Sequence, residues 1–171
     1  MEIAQIISRI VHIGFGVFWA GTIFFFAFLL EPAVRAAGPE GGRVMQELMK
    51  RKFMNIVPIA ALLTILSGLD MYWRFSGGMS GEWMATGYGI SLTIGTVLSL
   101  VAFGIGIFLL RPTAMKTDRL AASMGDLDDP GEKQARLDEI NGLKSYNRIL
   151  GRIVATLLLL TVISMSVARY V

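Results

Sequence analysis

Four charge-free apolar blocks, residues 10–30, 53–69, 88–110 and 153–167, decide what this chain can fold into. Each is between 15 and 23 residues long, close to the ~20 apolar residues with which a helix crosses a hydrocarbon core. Inside lipid no water can satisfy a backbone N–H or C=O, so each block must close its hydrogen bonds internally, as a helix. A hydrophobic content of 54% and a mean hydropathy of +0.60 lie outside the range of soluble domains and agree with that reading. The first block is longer than the ~7 to 15 residue core of a signal peptide and no small-x-small cleavage site follows it, so it is expected to stay as a helix. The expected fold is all-α: one transmembrane domain over residues 1–171, built as a four-helix up-down bundle.

The charges orient that bundle. Of the 16 Lys and Arg, five fall in residues 31–52 (Arg35, Arg43, Lys50, Arg51 and Lys52) and eight in residues 111–152. The other three, Arg9, Arg74 and Arg169, lie singly at the opposite ends of the blocks. Basic connections remain on the cytoplasmic side. Both long connections are therefore expected in the cytoplasm, with both termini extracytoplasmic. The net charge of +3 is explained by this topology and gives no ground for a nucleic-acid partner; the partner is the lipid bilayer. With no cysteine in the chain, disulfides, thiolate metal sites and iron–sulfur clusters are excluded.

The two halves echo one another. "FLLEP" at 28–32 returns as "FLLRP" at 108–112, and "IVPIAALLTILS" at 56–67 returns as "IVATLLLLTVIS" at 153–164 with six identities in twelve positions. Two spans per copy give both copies the same orientation, so the expected arrangement is a parallel repeat, about 1–74 and about 75–171. The second copy carries an insertion read as a cytoplasmic helical hairpin over about 111–148, with Asp129 as an N-cap ahead of Pro130 and Gly125 as the preceding stop. In the shorter connection Val44, Met45, Leu48 and Met49 form an apolar stripe expected to pack on the hairpin. Small residues four apart, Gly16 with Ala20 and Ala102 with Gly106, permit close helix contact in lipid. Tyr72, Trp73, Trp83 and Tyr88 are expected as an interfacial aromatic belt.

The stretch "HIGFGVFWAG" at 12–21 holds the only histidine. Helical spacing puts Gly16, Trp19 and Ile23 on its face. Asp70 and Met71 at the end of the second block, Met84 and Tyr88 near the start of the third, and Met165 near the end of the fourth all belong to the same outer layer. Imidazole with thioethers is a ligand set suited to Cu(I), with His12, Asp70, Met71 and Met84 as candidate metal ligands. A haem b iron is the other candidate, with His12, Trp19 and Met165 lining its site. A histidine hydrogen-bonded to Asp70 or to a carbonyl, with no cofactor, is the third reading. No nucleophile–base pair, phosphate loop or pair of buried carboxylates points to catalysis.

His12-x6-Trp19-x-Gly21 with Pro32 at the far end of the same helix resembles the first helix of the CopD-like superfamily, the four-helix membrane proteins named for copper-resistance protein D. The likeness continues through "FFFAFLLEPAVRAAGPEGGRVMQELMKRKF" and covers about the first 75 residues. It implies an inner-membrane protein concerned with copper uptake or tolerance, with His12 as the residue carried over. A His with a Trp seven residues later also resembles the HemJ type of protoporphyrinogen oxidase, a haem-binding four-helix scaffold. That family uses an intramembrane lysine, whereas Lys50, Lys52, Lys116, Lys133 and Lys144 all lie in the connections. Three functions follow as alternatives: a copper-handling protein, a haem b electron carrier, and an accessory subunit without cofactor, in a homo-oligomer or a larger membrane complex.

Overall fold

The computed structural model describes residues 3–171. Four helices long and apolar enough to cross a bilayer run Ile3–Ala36, Phe53–Phe75, Gly87–Asp126 and Pro130–Tyr170. They are spans one to four below, and among the described residues there is no strand. The protein is an all-α, multi-pass membrane bundle. Spans one and two pack along their length, as do spans three and four, and the pairs meet where span two touches three and span one touches four.

Small side chains make these contacts. Ala60, Ala61, Ala102 and Ala155 are almost fully buried with Val154 and Leu158 between them, while Ile10, Val17, Leu29 and Phe108 point outward. Lipid tails are as apolar as leucine, so large residues gain nothing by facing inward, and close backbone approach decides the packing. Gly16 is such a point, where an added Cβ would come within 3.3 Å of the Thr64 methyl. Gly106 has open space around it, so of the second small pair only Ala102 is used.

Every span outruns its apolar block, the second only at its far end, from Asp70 to Phe75. The fourth contains a 38-residue α-helix, Pro130–Val167, which at ~1.5 Å per residue measures ~57 Å, against a ~30 Å hydrocarbon core. Its first turns pair with the end of span three as the expected hairpin, tied by Lys116 to Glu139 at 2.8 Å and Arg136 to Ser123 Oγ at 3.0 Å. Asp129 caps it, accepting the Glu132 N–H at 2.8 Å with Pro130 at the first turn. The shorter connection forms the helix Pro39–Lys50. This helix lies against the ends of spans one and two, and Val44 of its apolar stripe is exposed. Gly41 makes this possible, because a Cβ there would run into the Val34 carbonyl.

Spans one and three each widen into a π turn, at Phe26–Leu30 and Gly106–Leu110. Glu31 N–H donates five residues back to Phe26 and Arg111 N–H to Gly106. Both turns end two residues before Pro32 and Pro112, whose rings crowd the carbonyl four residues behind them and lack a donor; a wider turn relieves that crowding. They overlap the two copies of the "FLL(E/R)P" motif. The next residues then bind across the bundle: Arg148 donates to Glu31 at 2.8 Å, joining spans four and one, and Arg111 donates to Asn55 at 3.0 Å, joining three and two.

Candidate functional site

At the end of the bundle away from these basic connections, the four spans part around a cavity of about 350 Å³. That volume is enough for a small ligand or an ion with its ligands. Span one contributes His12, Gly16 and Trp19; span two Thr64, Gly68, Met71 and Tyr72; span three Tyr88, Thr96 and Ser99; span four Thr161 and Met165. Trp19 is 5% exposed and forms the inner wall, edge-on to Phe103 at 6.5 Å between centroids. It belongs to the core with Ala61, Ala102 and Val154.

His12 is held from two sides. Its Nδ1 lies 2.7 Å from the Thr64 carbonyl oxygen. A carbonyl only accepts, so Nδ1 carries the proton and, in the neutral ring, Nε2 carries a lone pair. The Cε1–Nδ1 edge of the ring rests on Gly68, where a Cβ would sit 2.7 Å from Cε1 and 2.9 Å from Nδ1 but 3.8 Å from Nε2. Nε2 is thus the nitrogen turned away from span two. Span four is seated alike on span three: a Cβ at Gly95 would meet Met165 Cγ at 2.8 Å and its terminal methyl at 3.1 Å.

The threonine and serine hydroxyls around the cavity have already spent their protons. Thr64 donates to Ala60, Thr96 to Leu92, Thr161 to Leu157 and Ser99 to Thr96, all carbonyls of their own helices. Tyr72 donates to Thr93 Oγ1 at 2.5 Å, since Thr93 itself donates to Gly89. These groups turn lone pairs toward the cavity, as do the Nε2 of His12 and the thioethers of Met71 and Met165, beside two donors, the Tyr88 hydroxyl and the Arg9 guanidinium. The exposed Arg9 lines the same cavity.

No family profile, curated protein or solved structure matches this chain. The functional reading therefore stands on the residues. Of the candidate ligands, His12, Met71 and Met165 line one cavity from three spans, with Trp19 as its wall. Asp70 lies outside that lining and is engaged elsewhere, accepting from Ser8 at 2.7 Å and from Arg74 at 3.0 Å. Met84 closes the short helix Gly81–Met84 and is not part of the lining either. Among the described residues no three His, Cys, Asp or Glu side chains come together as a metal cluster; beside His12 the soft donors in the lining are the thioethers of Met71 and Met165. The aromatic belt is also rearranged: Trp83 stacks edge-on against Tyr72 at 5.2 Å and Tyr88 at 5.8 Å, capping the bundle, and only Trp73 stands well exposed. Gly68, Gly95 and the Thr64 carbonyl complete the site. Sequence alone marks Gly68 and Gly95 only as glycines inside spans, because which side chain lies across from each depends on the register between helices.

Proposed function

We propose that this membrane protein binds copper as Cu(I) in the cavity beside His12. The observation that carries the reading is the hydrogen bond from His12 Nδ1 to the Thr64 carbonyl. Metal-bound histidines characteristically donate their other ring N–H to a carbonyl or carboxylate, which fixes the tautomer and aims the free nitrogen. Here the bond at 2.7 Å leaves Nε2 as the free nitrogen, and Met71 and Met165 line the same cavity from two further spans. One imidazole with two thioethers suits a soft monovalent ion; zinc would call for more nitrogen or thiolate. Reading both basic connections as cytoplasmic puts the cavity at the outer face of an inner membrane, with both termini extracytoplasmic. The matching π turns support reading the halves as parallel repeats.

Purification from cells supplied with copper and haem precursor, followed by metal analysis and a visible spectrum, tests the reading beside His12→Ala. Stoichiometric copper in the wild type that is lost in the variant is the expected result. A Soret band lost in the variant would replace copper with haem b ligated by His12 and Met165. Neither signal would leave His12 as a helix tie and the chain as an accessory subunit. Orientation is checked separately by reporters fused after Val171 and within residues 120–135, which should report opposite compartments.

A further inference from the structure

The shorter basic connection differs from the hairpin in charge, and the difference points to a ligand. Residues 111–152 hold eight basic side chains against seven acidic ones, whereas residues 31–52 hold five against three, Glu31, Glu40 and Glu47, of which Glu31 is taken by Arg148. Lys50 is engaged with Glu47 at 2.6 Å in an exposed pair. Arg35, Arg43, Arg51 and Lys52 are all exposed, and among the described residues no ion pair reaches Arg35, Arg43 or Lys52. Arg111, bonded to Asn55, adds a cation one turn further along span two.

The backbone supplies a second, independent observation. Lys52, the residue that turns the chain from the helix Pro39–Lys50 into span two, has φ of 59° and ψ of 25°. This is the left-handed region, which glycine enters freely and a residue with a Cβ enters at a cost. Asn55 and Ile56 donate to its carbonyl at 2.8 and 3.0 Å, so the turn is a fixed part of the fold. The turn thus holds a long cationic side chain at a position whose backbone would suit glycine better. The connection joins two membrane spans and Gly41 holds its helix down on span one, so these cations stand at headgroup level.

We propose that Arg43, Arg51 and Lys52 bind the phosphate of anionic phospholipid headgroups, anchoring this connection to the membrane surface. Basic side chains next to a span attract anionic lipid in this way, and the attraction is screened by salt. The inference does not rest on the copper reading. The test uses the full chain in nanodiscs of phosphatidylcholine alone or with phosphatidylglycerol, with Tm and retained lipid measured by mass spectrometry. Wild type should be more stable with phosphatidylglycerol and should retain it selectively. Lys52→Gly should hold or raise Tm in phosphatidylcholine while weakening phosphatidylglycerol retention about fivefold, opposite signs that a purely structural lysine would not give. Lys52→Asn, which also tolerates the left-handed turn, should behave likewise. The triple variant Arg43→Gln, Arg51→Gln, Lys52→Gln should lose the preference. An unchanged preference in the triple variant overturns the proposal, and so does inorganic phosphate reproducing the whole gain in phosphatidylcholine.

Discussion

The two helix pairs solve one packing problem with different side chains. In each pair a glycine on one span receives a candidate ligand from the other: Gly68 receives His12, and Gly95 receives Met165. In each pair, too, a side chain crosses to a backbone carbonyl: His12 Nδ1 to Thr64 and Ser164 Oγ to Ser91, both at 2.7 Å. The first pair gives both tasks to one residue. The second divides them between neighbours, with Met165 filling the glycine notch and Ser164 making the bond. His12 is therefore fixed in direction as well as position, while Met165 is confined only by volume and keeps the mobility of a thioether. On the copper reading, a fixed imidazole and an adaptable thioether line the same cavity.

Placing alanine in each notch should break the resemblance between the pairs, with the largest effect in the first. At Gly68 the new Cβ would fall 2.7 Å from His12 Cε1, and a ring held by its own hydrogen bond can yield only by giving that bond up. Gly68→Ala should cost about 2 kcal/mol of stability, within the ordinary range for overpacking, and weaken copper binding by about 10- to 100-fold, as lost orientation of a ligating histidine does. Gly95→Ala meets Met165, whose side chain can swing aside, and should cost about 1 kcal/mol with a smaller loss of affinity. Thermal unfolding in detergent and competition against a Cu(I) chelator measure both. Equal effects at the two glycines would show that His12 is no more constrained than Met165.

Those glycines also mark where sequence reading stops. The four spans were legible because charge-free runs of that length have one stable form in lipid, and the Asp129 cap because its chemistry is local. The ends were less so: span one begins by Ile3 rather than near residue 10, since a polar first turn such as that around Gln5 and Ser8 costs little at an interface. His12 and Trp19 were legible as one helical face. Asp70 was not separable from Met71, because neighbours on a helix point about 100° apart and only the structure shows Ser8 and Arg74 taking the carboxylate. The π turns were written in the sequence as two prolines after matching apolar runs, although a proline alone does not specify whether a helix kinks, ends or widens.

The smallest expected effect sharpens the comparison most. Ser164→Ala removes the crossing bond of the second pair and should cost about 0.6 kcal/mol, the usual worth of one interhelical hydrogen bond in a membrane. Copper binding should be unchanged, because Ser164 does not line the cavity. His12→Ala removes the equivalent bond of the first pair, along with the packing of its ring on Gly68. If both residues serve only to tie helices, both variants should lose stability and neither should alter metal content. The second pair already demonstrates that a serine suffices for the tie. An imidazole in the first pair adds one thing a serine lacks, a nitrogen lone pair left over after the tie is made. Loss of copper in His12→Ala, set against full copper in Ser164→Ala in the same preparation, would assign that lone pair its use, whereas equal copper in both would reduce the histidine to a second kind of tie.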